Sequence, residues 1–245
     1  MSKKSKTAIV TGASRGIGVA LAKQLAADGF NVVVNYANRV DAAQLVVRDI
    51  VGEGGSAIAI QADVARAEEF KRLFDEAESV FGGVDVLVNN AGATMMCPLK
   101  DVTDADFQRI VSINLVGTFN GMREAANRLP DGGRIINLST SVIGSYLPGA
   151  SVYAATKSAV EALTHTLAKE LGPRQVTVNA IAPGPTATEL FYEGRSKEFI
   201  EQIVGGIPMG RIGEPEDIAG VVSFLAGPQS AWVSGQVIKV NGGRN

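Results

Sequence analysis

Short runs of β-branched and aliphatic residues alternate along this chain with longer amphipathic stretches. Apolar residues are almost continuous within the short runs, as in parallel strands that are covered on both faces of a sheet. We predict strands at Thr7–Val10, Val32–Asn35, Ala57–Gln61, Val84–Val88, Arg134–Leu138, Val176–Ile181 and Val237–Val240. The longer stretches predict helices at Gly18–Asp28, Asp41–Val51, Ala67–Phe81, Asp104–Arg128, Val152–Leu171 and Glu214–Leu225.

This order of strands and helices, with short connections, is typical of a doubly wound parallel sheet. The chain has 245 residues, of which 46% are hydrophobic and 20% charged, a size and composition that suit one undivided α/β domain. We therefore predict an α/β fold: a single Rossmann-type domain over residues 1–245, with seven parallel strands flanked by helices.

Charge and composition bear on partners and location. A net charge of −2 gives no electrostatic footprint for nucleic acid or for a membrane surface. The sequence has no signal-peptide pattern and no apolar run long enough to cross a bilayer, so we expect a soluble, cytoplasmic protein. The single cysteine, Cys97, excludes an internal disulfide, and the single histidine, His165, argues against a metal site.

A glycine-rich loop, TGASRGIG, follows the first predicted strand and opens the first predicted helix. A dinucleotide-binding loop requires this context. Its three glycines allow a tight turn, close approach of the backbone to a pyrophosphate, and close packing of helix on strand, and the helix N-terminus offers N–H groups to phosphate. The loop residues that we expect to contact the cofactor are Gly12, Ser14, Arg15, Gly16, Ile17 and Gly18.

The end of the second predicted strand bears on the choice between NAD(H) and NADP(H). Folds that select NAD place an acidic residue there to bind the ribose 2′-hydroxyl. This chain has Asn35, Asn38 and Arg39 instead, with no carboxylate before Asp41. Together with Arg15 they suit a 2′-phosphate, which predicts NADP(H). The alternative is that Arg39 is only a solvated residue at a helix start.

Tyr153 and Lys157 lie four residues apart in a predicted helix and share one of its faces. A nearby cation favours the phenolate form of a tyrosine. Lowering a tyrosine pKa from about 10 to about 7 requires about 4 kcal/mol, which a buried lysine and an oxidised nicotinamide together could supply. The pair predicts a general acid/base that works with a redox cofactor. In isolation it would more often be a tyrosine ring packed on a lysine stem.

The order of these and further motifs resembles the short-chain dehydrogenase/reductase superfamily over essentially the whole chain. The motifs are TGASRGIG, Asp63–Val64, NNAG at Asn89–Gly92, Asn114, a serine-bearing strand end, YxxxK and Pro183–Gly184. Within the superfamily the chain is similar to β-ketoacyl carrier-protein reductases and to NADPH-dependent tetrahydroxynaphthalene-type reductases. VVVNYAN and SVYAATK are most like the latter.

The resemblance implies a role for each matching residue. Asp63 and Val64 would contact the adenine, and Asn114 would hold a water that relays protons towards Lys157. Further cofactor contacts would come from Asn89, Asn90, Ala91 and Gly92 near the ribose, and from Pro183, Gly184, Thr186 and Thr188 near the nicotinamide. From the residues alone, NNAG is also a tight turn and Asp63 a helix cap.

The position of the carbonyl-orienting serine departs from the family pattern. The family position is occupied here by Thr140, which Ser139 and Ser141 flank. Ser141 begins an SxxG like that of the family, so we predict Ser141 as the orienting residue and Thr140 as the alternative. Either hydroxyl can donate to a substrate oxygen.

The regions that form the substrate walls in this family are largely apolar here, at Thr94–Pro98, Ile143–Ala150 and Thr186–Gly210. The last resembles a mobile lid, at about residues 186–210. The resemblance thus implies hydride transfer between nicotinamide and a carbonyl or secondary alcohol on a largely apolar small molecule, with Tyr153 as general acid/base.

Two other functions and an assembly state accompany this prediction. Arg174 matches a position that meets an acidic carrier protein, but Asp131 has the wrong sign at the other, so a 3-oxoacyl carrier-protein reductase is the alternative and not the favoured function. A non-catalytic NADP(H)-binding regulator is a lesser alternative. The family also implies a homotetramer, paired through Asp104–Arg128, Val152–Leu171 and the C-terminal strand.

Overall fold

Seven strands form one parallel sheet in residues 5–245, the part of the chain that this computed structural model describes. They are β1 Thr7–Val10, β2 Asn31–Tyr36, β3 Ser56–Gln61, β4 Val86–Asn89, β5 Arg134–Leu138, β6 Thr177–Pro183 and β7 Val237–Val240. Their order across the sheet is β3-β2-β1-β4-β5-β6-β7, so the winding reverses between β1 and β4. The predicted α/β doubly wound sheet is confirmed; the first four residues of the predicted domain lie outside the described part.

Helices connect the strands and cover both faces of the sheet. They are α1 Ile17–Ala27, α2 Val40–Gly52, α3 Ala67–Phe81, α4 Asp104–Val111, α5 Gly117–Arg128, α6 Val142–Ser145, α7 Ser151–Leu171, α8 Glu189–Tyr192, α9 Lys197–Gly205 and α10 Pro215–Ala226. Short 3₁₀ turns lie at Leu99–Asp101, Gly172–Arg174 and Pro228–Ser230. Helices α1, α2 and α10 pack on one face, and α3, α5 and α7 pack on the other.

The core consists of two apolar layers, one on each face of the sheet. In β1, Ala8 and Val10 belong to one layer while Ile9 belongs to the other. Successive side chains of a strand point to opposite faces, so both faces must be apolar when helices cover both. This explains why the strand segments are nearly continuous runs of apolar residues.

The predicted single helix Asp104–Arg128 is wrong in one detail. A π-helical segment, Ser112–Val116, separates α4 from α5. The segment is only five residues long and lies inside an otherwise helical pattern, so the sequence predicts one continuous helix. Within it, the Asn114 carbonyl accepts a hydrogen bond from the Thr118 hydroxyl (2.8 Å), and the Asn114 side chain faces the loop after β4. Single π turns of this kind occur frequently at functional sites.

Strand ends differ from the predicted bounds by a few residues. The predicted strand Val84–Val88 is β4 at Val86–Asn89, and Val176–Ile181 extends in β6 to Pro183. Both strands thus reach further towards the carboxyl edge of the sheet, where β4 ends at the polar residue Asn89. In α/β sheets, ligands bind outside this edge at the point where the winding reverses.

Candidate active site

The glycine loop joins β1 to α1 at the point where the winding of the sheet reverses. Gly12 has a φ of 62°, and a Cβ there would stand 2.9 Å from Ala91 Cα. A Cβ on Gly18 would stand 2.5 Å from the Gly12 carbonyl oxygen. Both positions therefore require glycine, because a side chain would clash with backbone. Ser14 and Ile17 are half-buried, while Arg15 is exposed.

The end of β2 lies beside this loop. Asn38 and Arg39 are exposed there, and Arg39 Nη1 lies 3.5 Å from Glu189 Oε2 of the lid. Asn35, in contrast, is 1% exposed. Its side chain accepts from the Gly12 N–H (3.2 Å) and donates to the carbonyl that follows β3 (Ala62, 3.1 Å). Asn35 thus lies beneath the loop and supports it, whereas Asn38 and Arg39 face outwards.

Asp63 and Val64 follow β3 at the same edge. The Asp63 carboxylate accepts from the Ala65 N–H (3.0 Å), and the Asp63 N–H donates to the Glu69 carboxylate (2.8 Å). Val64 is buried, and its carbonyl accepts from the Asn120 side chain (2.9 Å). Asp63 therefore closes a local turn with Ala65 and does not cap α3, whose N-cap residue Arg66 makes no side-chain capping bond. Hydrogen bonds with Glu69 and Asn120 hold the segment in place from both sides.

The NNAG turn after β4 is tied to the glycine loop through Thr11. The Thr11 hydroxyl oxygen accepts from the N–H groups of Asn90 (2.9 Å) and Ala91 (3.0 Å). The Asn90 side chain donates back to the Thr11 carbonyl (2.8 Å). Asn89 is buried and donates to the Asn137 side chain of β5 (2.8 Å). The two loops that flank the reversal point therefore form one hydrogen-bonded unit.

Tyr153 and Lys157 lie on the first turns of α7 and face the end of β5. The Lys157 ammonium donates to the Leu138 carbonyl (2.7 Å), and the side chain is 4% exposed. Burial lowers the pKa of Lys157 to about 8. Burial also raises the pKa of Tyr153, and a hydrogen bond with the Thr140 side chain partly opposes this rise. In the protein without cofactor, the pKa of Tyr153 is therefore raised, whereas the nearby Lys157 was expected to lower it.

Asn114 joins this cluster from the π-helical segment. It is fully buried; its side chain accepts from the Ala93 N–H (2.8 Å) and donates to the Ala93 carbonyl (2.9 Å) and the Thr156 hydroxyl (3.3 Å). A Cβ on Gly92 would stand 3.3 Å from Asn114 Oδ1 and 3.5 Å from Lys157 Nζ. The amide oxygen and the ammonium thus converge on one point beside Gly92.

The three hydroxyls after β5 point in different directions. Thr140 bonds to the Tyr153 side chain, and its hydroxyl oxygen accepts from the Val142 N–H (3.3 Å). The Ser139 hydroxyl donates to the Glu161 carboxylate (2.6 Å), away from the tyrosine. Ser141 is held by its backbone, which donates to the Pro183 carbonyl (2.9 Å). The hydrogen bond to the phenol makes Thr140, the alternative, a candidate beside the predicted Ser141, and the choice between the two hydroxyls stays a prediction.

The segment after β6 contacts the glycine loop. A Cβ on Gly184 would stand 2.7 Å from Asn241 Cα, so this position requires glycine. The Thr186 hydroxyl donates to the Gly184 carbonyl (3.0 Å), and the Thr188 hydroxyl caps α8 by accepting from the Phe191 N–H (3.2 Å). A Cβ on Gly16 would stand 3.4 Å from Thr188 Cγ2. The lid therefore begins against the loop.

Arg195 joins the two helices of the lid, α8 and α9. Its guanidinium lies 4.4 Å from the centre of the Phe191 ring and 5.9 Å from that of Phe199. The other two wall segments meet where the Cys97 N–H donates to the Gly149 carbonyl (2.8 Å). The walls expose large apolar side chains, namely Met96, Tyr146, Leu147 and Tyr192.

Comparison with known proteins shows the family of this chain. A family model described as enoyl-(acyl carrier protein) reductase matches residues 12–245. A 3-oxoacyl-(acyl-carrier-protein) reductase of Staphylococcus aureus is 44% identical over 243 residues, which cover 98% of each chain. An NADPH-dependent aldehyde reductase-like protein of Arabidopsis thaliana, described as chloroplastic, is 44% identical over 254 residues (97% of this chain, 93% of the relative). The crystal structure of a short-chain dehydrogenase from Burkholderia cenocepacia in complex with NADP superposes with a TM-score of 0.93 at 37% identity, covering 98% of both chains.

The chain belongs to the short-chain dehydrogenase/reductase superfamily. It is therefore a member of an oxidoreductase family, with the seven-stranded sheet and the motif order described above. Among residues 5–245, no helix combines the length and apolar character needed to cross a bilayer. The same residues contain no group of three or more His, Cys, Asp and Glu side chains placed to hold a metal ion.

Three residues of this short-chain dehydrogenase/reductase site were not singled out by the sequence. Thr11 joins the two loops, Thr156 holds Asn114, and Glu189 reaches Arg39. Thr156 lies one position before Lys157, so the sequence predicts its place on the helix. The sequence does not show that Thr156 contacts Asn114. Glu189 is far from Arg39 in the chain, and only the fold brings them together.

Proposed function

We propose that this protein is an NADP(H)-dependent oxidoreductase that interconverts a carbonyl group and a secondary alcohol on a largely apolar small molecule. The observation that carries the proposal is one cluster: Tyr153 and Lys157 meet Thr140 and Asn114 at the carboxyl edge of the sheet, directly beside the glycine loop. A general acid, a cation and two polar side chains at a dinucleotide-binding edge are what hydride transfer to a carbonyl requires.

The residues present fit NADP(H). Gly12, Gly16 and Gly18 leave a loop without side-chain bulk, and a Cβ at any of them would meet protein atoms within 3.4 Å. Arg15 and Arg39 are exposed beside this loop and would hold a 2′-phosphate. The NADP in the Burkholderia structure and the NADPH in the description of the Arabidopsis relative support the same cofactor. When bound, NADPH supplies the hydride.

Tyr153 donates the proton in the direction of reduction. Since burial raises its pKa, the phenol is protonated at neutral pH and is able to donate to the developing alkoxide. Thr140, bonded to the same phenol, orients the substrate oxygen and stabilises its charge. Lys157, with a pKa of about 8, is largely protonated at pH 7 and returns a proton to the phenol, and a water held by Asn114 would replace that proton from solvent.

The wall side chains support an apolar substrate, and a 3-oxoacyl carrier-protein reductase is the second candidate. The relative from Staphylococcus aureus favours this second function. Arg174, the expected carrier contact, is however engaged within the chain: it donates to Asp131 (3.1 Å) and to the Ala126 carbonyl (2.6 Å). This leaves less positive charge for an acidic carrier, so we favour carrier-free ketones.

Steady-state oxidation of NADPH and NADH against aromatic ketones, diketones and 3-oxoacyl thioesters tests the function. We expect turnover with NADPH and a preference for apolar ketones. Faster turnover of carrier-bound 3-oxoacyl groups than of their small thioester mimics would show that the protein is a 3-oxoacyl carrier-protein reductase. Tight NADPH binding without turnover on any carbonyl would instead favour the non-catalytic role.

We also propose that the active form is a homotetramer. A groove of about 330 Å³ between α5 and α7 is lined by apolar residues that include Met122, Leu163 and Leu167, and Phe119 beside it is 43% exposed. On another part of the surface, Trp232 before β7 is 96% exposed. Two distinct self-complementary contacts are what a tetramer with two-fold axes requires.

A further inference from the structure

The lid contacts the cofactor-binding segments at two points, one apolar and one charged. Thr188 packs its methyl group towards Gly16, and the next residue, Glu189, extends to Arg39. Arg39 Nη1 and Glu189 Oε2 are 3.5 Å apart, and both side chains are exposed. Glu189 is the first residue of α8, so the pair joins the start of the lid to the end of β2.

Arg39 is also the cation that the proposed function assigns to the 2′-phosphate. A guanidinium stays protonated and binds phosphate in a bidentate manner, and phosphate offers more charge and more acceptor oxygens than a carboxylate. An exposed ion pair at this distance is weak. The 2′-phosphate therefore replaces Glu189 as the partner of Arg39. A 2′-hydroxyl has no charge and does not replace it.

We propose that Glu189 is a cofactor-specificity residue that anchors the lid to Arg39 until a 2′-phosphate displaces it. The inference rests on the proposed NADP(H) function and adds a consequence to it: NADP(H), and not NAD(H), releases the start of α8. Because Arg195 lies over aromatic rings of both α8 and α9, release at Glu189 loosens the two helices together. The lid thus responds to the phosphate at the far end of the cofactor.

Binding of NADPH and NADH to the full chain tests the anchor by a double-mutant cycle. The proteins are the wild type, Glu189→Gln, Arg39→Ala and the double variant. We expect Glu189→Gln to tighten NADPH binding about two- to fivefold, the range of an exposed ion pair, and to leave NADH binding unchanged. In the Arg39→Ala background the same substitution has no effect. Glu193→Gln removes an equal charge four residues further on and is the matched control.

Hydrogen exchange at the amides of residues 189–205 gives an independent measurement. The probes are adenosine 2′,5′-bisphosphate and adenosine 5′-monophosphate, neither of which carries a nicotinamide. We expect faster exchange with the bisphosphate than with the monophosphate in the wild type, and no difference between the probes in Glu189→Gln. Equal exchange with both probes in the wild type contradicts the release.

The outcomes separate the two proposals. If Arg39→Ala leaves the preference for NADPH over NADH unchanged, Arg39 does not bind the 2′-phosphate, and its assignment in the proposed function is wrong. If Arg39→Ala abolishes that preference while Glu189→Gln alters neither affinity nor exchange, the anchor alone is wrong. An equal effect of Glu189→Gln and Glu193→Gln shows general charge repulsion and also overturns the anchor.

Discussion

Tyr153 is half-buried; burial raises the pKa of its phenol, and the phenol forms a hydrogen bond with the Thr140 side chain. Tyr153→Phe removes one oxygen atom and little else. We expect the variant to fold and to bind NADPH like the wild type, while kcat falls by about 10²- to 10⁴-fold, the usual contribution of a general acid. Ketone-dependent oxidation of NADPH, with cofactor titration and thermal unfolding as controls, measures this. Turnover near the wild-type rate would overturn the role of Tyr153.

Substitutions of Thr140 and of Ser141 test which of the two hydroxyls orients the substrate carbonyl. Because Thr140 bonds to Tyr153 and Ser141 is held through its backbone, we expect Thr140→Val to lower kcat by about 100-fold, as loss of one oxyanion donor does. Ser141→Ala should change kcat less than about threefold on the same scale. The pair of variants serves as its own control, since each removes one hydroxyl. The reverse result would restore the assignment to Ser141.

Lys157 links the site to the pH dependence of stability. Its pKa is about 8 in the folded protein and 10.5 ordinarily. Between these values the unfolded chain binds a proton that the folded protein releases, so the free energy of unfolding rises with pH in this window. The contribution is at most about 1.4 kcal/mol per pH unit. Denaturant unfolding of the cofactor-free protein from pH 7 to 10 should show that Lys157→Met lacks this rise. Parallel curves for both proteins would contradict the lowered pKa.

Individual polar residues were the hardest part of the site to predict. Sequence position placed Asn35 and Asn89 at strand ends, where ligands bind, but it does not say which way a side chain turns. In the fold both amides are buried and join neighbouring segments, so they hold the loops in place. The same holds for Thr140. The sequence has three consecutive hydroxyl residues here, and it does not say in which direction each side chain points once the end of β5 packs near α7.

The elements themselves were predictable because their pattern has one physical cause. Strands covered on both faces need continuous apolar runs, and the helices that cover them need one apolar stripe, so each leaves a distinct periodicity. Thr103 caps α4, since its hydroxyl accepts from the Asp106 N–H (3.1 Å), and threonine is a residue type preferred at helix N-caps. Periodicity does not show the π-helical segment around Asn114, because such a segment is a local change in backbone hydrogen bonding within one helical stretch.

The lid is held as a unit by Arg195 between two aromatic rings. Arg195→Ala removes both contacts, each worth about 0.5–1 kcal/mol when exposed, so we expect KM for apolar ketones to rise about two- to tenfold. The amides of α8 and α9 should also exchange faster. Lys197→Ala, which removes an exposed cation of the same lid, is the control and should leave both quantities unchanged. Unaltered exchange in Arg195→Ala would show that the rings do not join the helices.

At the scale of the whole molecule, the protein exposes two separate apolar surfaces. The groove between α5 and α7 lies beside Phe119, over whose ring the Arg123 guanidinium stands (5.0 Å), whereas Trp232 lies near the edge strand β7. A chain with a net charge of only −2 has little long-range repulsion to keep copies apart. Two independent contacts predict that disrupting one leaves a dimer held by the other.

Phe119→Glu tests this arrangement, because a charge beside the groove must be desolvated if a second copy covers it. We expect the wild type to have four times the 25.5 kDa mass of one chain and the variant to have twice that mass, as measured by light scattering during gel filtration. Leu45→Glu places the same charge on an exposed position of α2, away from both surfaces, and should leave the tetramer intact. A monomeric wild type would exclude the assembly altogether. A tetrameric Phe119→Glu would exclude the groove as a contact, and a surface other than the groove would then have to join the Trp232 surface in the tetramer.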